Sequence, residues 1–233
     1  MDSKDVKKLL FDAGADLCGI ASIDRFTEAP EGYHPTDALP ECKSVIVFAK
    51  RFLAASLQCK TQIPYTIVRN MLSDHLDQMA VQICLELEKR NYAAVPTGTI
   101  GPAEIDEKTG RQRSIVSAKH CAELAGLGRI GKNTLLITPE YGNMVWLSVI
   151  LTNMVLEPDP IYEKELCGKD CSLCIDICPV NALDSLEMNQ GACWDYAFGE
   201  KKGAWQLRCN RCRTICPKCL GTENRTKNNT LNL

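Results

Sequence analysis

The stretches CGKDCSLCIDICPV (167–180) and CNRCRTICPKC (209–219) decide how this chain is read. Both contain C-x2-C-x3-C-P: Cys171, Cys174 and Cys178 before Pro179, then Cys209, Cys212 and Cys216 before Pro217. Cys167 precedes the first run, Cys193 lies between the two, and Cys219 follows the second. Nine of the fourteen cysteines thus fall between Cys167 and Cys219. A tight turn with thiolates at this spacing presents three sulfurs to an iron–sulfur cluster. The fourth comes from elsewhere, and in two-cluster ferredoxins it comes from the other motif. Applied here, that crossing assigns Cys167, Cys171, Cys174 and Cys216 to one [4Fe–4S] cluster. Cys209, Cys212 and Cys178 go to the other, with Cys193 the best candidate for its missing ligand and Cys219 left over. Zinc would accept the C-x2-C pairs, but it does not call for the doubled C-P ending.

Outward from these motifs the chain is ordinary. Its 233 residues are 45% hydrophobic, and 27 Lys and Arg stand against 29 Asp and Glu, a formal charge of -2. That balance predicts neither nucleic acid nor a membrane as the main partner. No apolar run reaches the length of about 18 residues that a membrane-spanning helix needs. The opening MDSKDVKKLLFDAGADLCGIA (1–21) mixes charge with apolar residues, unlike a secretory leader, and has no twin-arginine pair. The expectation is a cytoplasmic protein whose clustered cysteines bind metal rather than form disulfides. Cys18, Cys42, Cys59, Cys84 and Cys121 each sit in apolar context and read as small core residues.

The periodicity predicts a mixed α+β fold. A short helix capped by Ser3 is followed by buried strands at Leu17–Ala21 and Ser44–Ala49. A helical pattern runs from Pro64 to Arg90, and a strand spans 92–96. A short helix at Ser117–Leu124 and strands at Thr134–Thr138 and Val145–Thr152 complete the first part, residues 1–158. Residues 159–220 form a second, cysteine-rich domain, and 221–233 a polar tail.

Between helix and strand lies Gly126-Leu-Gly128-Arg-Ile-Gly131-Lys132-Asn133-Thr134. It matches G-x-G-x-x-G and nearly matches a P-loop, failing at Asn133. Both nucleotide motifs need a strand before the loop and a helix after it, and here the order is reversed. The glycines read either as a helix stop or as a place where backbone approaches a large flat ligand.

DLCGIA, LPECKSVIVFAKRF, AELAGLGRIGKNTLLITPEYGN and VILTN, followed by the two cysteine motifs, resemble the epoxyqueuosine reductase and reductive dehalogenase family of cobalamin-dependent iron–sulfur proteins. The resemblance implies a nitroreductase-related α/β domain that binds a corrinoid, followed by a ferredoxin-like domain with two [4Fe–4S] clusters. It implies corrinoid contacts from Gly126, Gly128, Gly131, Lys132, Asn133 and Thr134, with Tyr141, Gly142 and Asn143 from the next loop. FMN is the alternative cofactor. It also places Cys193, in GACWDYAFGE, where the family supplies its fourth ligand. The function implied is reduction of a small substrate by a corrinoid fed with electrons from ferredoxin or flavodoxin. The alternatives are a non-catalytic electron-transfer or corrinoid-handling protein acting on another corrinoid protein.

Departures from the family shape a further expectation. Ala118 stands where epoxyqueuosine reductases are similar in carrying an acid, Arg129 stands where they have an aromatic residue, and their tRNA-binding helical repeats have no counterpart here. The chain is therefore expected not to be a tRNA epoxyqueuosine reductase. Tyr65, Glu104 and Tyr141 are candidate replacement acids. His120 is the histidine nearest the glycine loop. Arg208, Arg211, Arg213 and Lys218 make a basic patch suited to an acidic electron donor or to offsetting cluster charge.

Overall fold

A computed structural model describes residues 1–101, 103–107, 110, 112–184, 187–198 and 206–222. The predicted polar tail lies, from residue 223 on, outside the described residues. Helix and sheet are mixed, as the periodicity required, but the compact units are not consecutive in sequence. One comprises 1–50, 72–128 and 146–163; the other comprises 51–71, 129–145 and 164–233. The single boundary expected near 158 falls within the stretch 146–163 of the first unit, and the second unit draws on 51–71 and 129–145 besides the cysteine segment.

The first unit opens with the helix Ser3–Asp12, capped by Asp2 rather than Ser3. The Asp2 carboxylate accepts from the Lys4 and Asp5 amides at 2.9 and 3.0 Å, and Asp5 returns the bond to the Asp2 amide. The helix buries Val6 and Leu10. A four-stranded sheet follows, in the order Leu17–Ser22, Ser44–Arg51, Val145–Thr152, Ala94–Pro96. The first two strands pair antiparallel from Leu17 opposite Ala49 to Ser22 opposite Ser44. Residues 44–49 are buried without alternation, which is why this strand reads as a continuous apolar run. The helix Ile63–Glu88 lays Leu76, Met79, Ile83 and Leu87 against Ile20, Ile46, Phe48 and Ile150. A side chain at Gly19 would place its Cβ 2.4 Å from the Ala125 carbonyl, so glycine permits the end of the helix Ala118–Leu124 to lie on the sheet. Cys42, Cys84 and Cys121 are buried and Cys18 is half-buried, whereas Cys59 is exposed, contrary to its apolar sequence context.

The second unit carries little regular structure. The two-residue strands Arg129–Ile130 and Leu136–Ile137 form a hairpin, shorter than the strand expected over 134–138. Short helices at Leu173–Asp176, Gln190–Phe198 and Arg211–Thr214 belong to the cysteine segment. Residues 63–71 of the long helix serve as its support. The Leu207 amide donates to Thr66 Oγ1 at 3.0 Å, and the Arg69 guanidinium lies 5.6 Å from the centre of the Phe198 ring.

Asp159 ties the end of the first unit to its start. Its Oδ2 accepts from the fully buried Ile20 amide at 2.8 Å, Oδ1 meets Lys7, and its carbonyl accepts from Arg25 at 2.7 Å. Asp159→Ala strands the Ile20 amide, so it should cost about 1–3 kcal/mol in urea unfolding. Asp159→Asn should recover part of that loss, because its side-chain oxygen still accepts.

Candidate metal centre

The doubled C-x2-C-x3-C-P sequence folds the same way twice. Cys174 sits in the one-turn helix Leu173–Asp176, and Cys212 in Arg211–Thr214. The residues before them, Ser172 (φ -120°, ψ 3°) and Asn210 (φ -136°, ψ 20°), share one backbone shape, and Ile177 and Ile215 end both turns in the right-handed helical region. The amides of Cys178 and Cys216 close equivalent bonds to Ile175 and Arg213, at 3.1 and 3.3 Å. The chain then turns away at Pro179 and Pro217, neither of which can continue the helix.

Electrostatics shows which thiols are neighbours. Burial pushes Cys174 up, and like charge from Cys167, Cys216 and Cys171 adds to it. Cys216 is likewise raised by burial and by Cys167 and Cys171, against a lowering bond from the Lys218 amide. A second set forms around Cys193, raised by burial and by Cys209 and Cys178. Cys212 is pushed up to about 11 by burial, with Cys209, Cys193 and Cys174 adding to the rise while Arg213 opposes it. The Ala182 amide donates to Cys178 Sγ at 3.2 Å. All fourteen cysteines are free, and among the described residues no three His, Cys, Asp or Glu side chains converge on a site for a single ion. Cys219 is buried and pushed up to about 12 by that burial, with Arg213 opposing and Cys216 adding.

The glycine loop is built against the cysteine segment. Lys132 Nζ donates to the carbonyls of Lys169 and Cys171, the latter at 3.0 Å. Buried Asn133 donates to the Cys212 carbonyl at 3.2 Å, and buried Asn143 to the Arg213 carbonyl at 3.3 Å. Thr134, at φ 58°, points its hydroxyl at Met188 Sδ, 3.6 Å away. The glycines are crowded by the chain itself. A Cβ at Gly126 would lie 2.1 Å from the Pro160 carbonyl, and one at Gly131 would lie 2.7 Å from Ile137. At Gly142 (φ 60°) it would lie 1.9 Å from the Lys218 carbonyl. Gly128 (φ 157°) completes a run that leaves the helix Ala118–Leu124 and enters the hairpin. Tyr141 is half-buried beside this turn, its amide donating to Thr138 Oγ1 at 3.1 Å. Asn133, within the glycine motif, and Asn143, in the next loop, are expected from sequence as corrinoid contacts; here both grip the second cysteine turn, a role the motif does not announce.

The remaining candidates scatter. Tyr65 is buried, stacked on Phe52 with ring centres 4.7 Å apart, and its hydroxyl is pushed up by burial. His120 is held below its ordinary value by burial, and its Nδ1 lies 2.6 Å from Ser117 Oγ. Glu104 is exposed at the rim of a cavity of about 620 Å³ in the first unit, which Asp37, Asp77 and Arg113 also line. Asp77 accepts from the Thr99 amide at 2.9 Å, and Arg113 donates to the Gly32 carbonyl. The expected basic patch divides: Arg211 is exposed, Arg208 and Lys218 are half-buried, and Arg213 is 5% exposed.

Comparison with known proteins supports the family resemblance. The epoxyqueuosine reductase of Listeria monocytogenes is 40% identical over 107 residues, which is 41% of this chain and 28% of that protein. That of Francisella cf. novicida is 27% identical over 206 residues, 78% of this chain and 54% of that one. The chain thus spans at most about half the length of these curated relatives. An epoxyqueuosine reductase solved with an epoxyqueuosine-modified tRNA stem loop superposes with TM-score 0.61 at 21% identity, covering 93% of this chain and 64% of that one. A B12-dependent reductive dehalogenase gives 0.70 at 17%, covering 91% and 31%. No family model matches. The chain is similar in sequence to epoxyqueuosine reductases and shares a fold with them and with reductive dehalogenases.

Two expectations are corrected. Excluding tRNA epoxyqueuosine reductase does not stand, because the curated relatives carry that name. Excluding nucleic acid does not stand either, since a neighbour of the same fold is bound to a tRNA stem loop. Both exclusions leaned on weak quantities. A net charge of -2 averages over the whole surface and says little about one face, and one missing acid at Ala118 does not define a reaction.

Gly142→Ala tests the packing of the loop on the cysteine segment. The added methyl meets the backbone of 218–221 in a left-handed conformation, and should destabilise the second unit by about 1–3 kcal/mol in thermal unfolding.

Proposed function

We propose that this chain is the iron–sulfur core of an epoxyqueuosine reductase-type enzyme, acting with a corrinoid on an epoxide-bearing nucleoside in tRNA. The observation that carries the reading is a pair of cysteine turns of identical spacing, each with a thiol of the other among its charged neighbours, in a chain whose curated relatives are epoxyqueuosine reductases. In this reading Cys167, Cys171, Cys174 and Cys216 hold one [4Fe–4S] cluster. Cys178, Cys193, Cys209 and Cys212 hold the other. Eight thiols in two groups of four, centred on two turns of one backbone shape, suit two four-iron cubes better than two zinc ions. Burial holds the thiols of Cys174, Cys193, Cys212 and Cys216 above their ordinary pKa, so binding must expel protons, as thiolate ligation requires. Fourteen free thiols fit a reducing, cytoplasmic setting.

When bound, the clusters deliver single electrons and the corrinoid supplies the reductive chemistry; the chain supplies position and electrostatics. The Ala182 amide supports Cys178 from outside its ligand set, and Asn133 and Lys132 fix the backbone of both turns. The B12-dependent dehalogenase among the structural neighbours supports the corrinoid. Six of the nine residues first named for it are engaged by the chain itself. Lys132, Asn133 and Asn143 donate to the chain's own carbonyls, and Gly126, Gly131 and Gly142 face its own atoms. No step of the reduction is therefore assigned to this loop. Ferredoxin or flavodoxin is the proposed electron donor, with exposed Arg211 offering it a positive contact.

Anaerobically prepared protein should carry about eight iron and eight sulfide per chain; stoichiometric zinc with little iron would overturn the cluster reading. Cys193→Ser should lose about half of the iron and Cys219→Ser none, so equal losses would show a different ligand set. With both clusters loaded, cobalamin and a low-potential reductant present, a tRNA stem loop carrying epoxyqueuosine should be converted to queuosine. No product from fully loaded protein would assign the fold to another substrate.

A further inference from the structure

Arg213 is the most unusual charge in the molecule. It sits between two cysteines of the second turn, Cys212 and Cys216, yet only 5% of it reaches solvent. A buried guanidinium is expected to have acceptors for its five N–H groups, since an unpaired buried charge is expensive. Its Nη1 finds none among the described residues. One neighbour is aromatic: the guanidinium lies 5.9 Å from the centre of the Phe52 ring, itself stacked on Tyr65. The acidic groups within reach of its charge are the thiols of Cys212 and Cys219 and the hydroxyl of Tyr65. Asn143, 1% exposed, fixes the Arg213 backbone through its carbonyl. The fold thus builds a dry, aromatic-backed pocket for one positive charge next in sequence to Cys212 and leaves it a donor to spare.

We infer that Arg213 is the built-in counter-charge of the iron–sulfur cluster bound through Cys212, and that it raises the reduction potential of that cluster. This rests on the cluster assignment proposed above. A four-iron cluster with four thiolates is anionic and gains a further negative charge on taking its one electron. A fixed positive charge in a low-dielectric setting therefore favours the reduced state, and net charge and hydrogen bonds to sulfur are the protein's established levers on cluster potential. Arg213 is a positioning residue in this sense: it acts on the chemistry through the cluster.

The test is a reductive titration of the reconstituted full chain followed by electron paramagnetic resonance, with iron and sulfide measured on the same samples. In wild type the two clusters should take up two electrons. Arg213→Gln should lower one potential and leave the other, cutting the ratio of reduced to oxidised cluster at least tenfold at the wild-type midpoint, which is about 59 mV for one electron. Arg213→Lys keeps the charge but not the planar fork, and should stay near wild type. Arg213→Gln protein that holds both clusters at unchanged potentials overturns the inference. If Arg213→Gln loses iron, Arg213→Lys decides. Two clusters at wild-type potentials support the charge, whereas iron loss or an equally large shift shows that the fork's geometry matters and not its charge. Wild type that binds no clusters overturns the parent reading instead, so the two failures are distinguishable.

Discussion

Neither cysteine turn is complete by itself. Cys216, from the second turn, shares the neighbourhood of Cys167, Cys171 and Cys174, while Cys178, from the first, shares that of Cys193 and Cys209. Two segments some forty residues apart in sequence must therefore be held at fixed separation and orientation by groups other than the thiols. Bare thiols supply no such force: buried and close together, they repel once ionised and gain nothing by approach. The rest of the second unit answers that constraint. Asn133 and Asn143 grip the consecutive carbonyls of Cys212 and Arg213 in the second turn, Lys132 grips the first, and Gly142 lets the 218–221 backbone close against the turn at 139–142.

This arrangement explains why the units interleave. Residues 51–71 and 129–145 come from the part of the chain that builds the sheet, yet they pack with the cysteines. The long helix Ile63–Glu88 shows the division within one element. Its later residues fill the apolar core, while Thr66 and Arg69 bond and stack on the cysteine segment. A helix with two such duties shows a weak single-faced pattern. Its apolar residues recur with helical period, but Ile63, Ile67 and Met71 are left exposed at its start.

The sheet and the cysteine motifs were legible because each rests on local chemistry. Six consecutive buried residues at 44–49 require a run of apolar side chains, and tight metal turns require close cysteines and a proline. The helix cap was misplaced by one residue because Ser3 and Asp2 are both good caps, and only the bond returned by Asp5 decides between them. The glycine loop was legible as a place of close approach but not as to what approaches. Three glycines admit a flat ligand or a neighbouring backbone equally well, and the sequence does not say which. Burial of Arg213 was invisible for a related reason. A basic residue among basic residues reads as a surface patch, and only the packing of Phe52 and Asn143 around it shows otherwise.

The electrostatics of the two thiol groups bears on why so basic a second turn is built here. Cys174 of one group acts on Cys212 of the other, so the groups are close enough to feel each other's charge. With a cluster in each, that closeness favours electron exchange and also makes two anions repel, most strongly after reduction. The first turn carries Asp176 between its last two cysteines, and the second carries Arg213 and Thr214 there. Two turns of one backbone shape are thus given opposite local charge. With a cluster held at each turn, an asymmetry of that kind would separate two potentials without any difference in iron ligation.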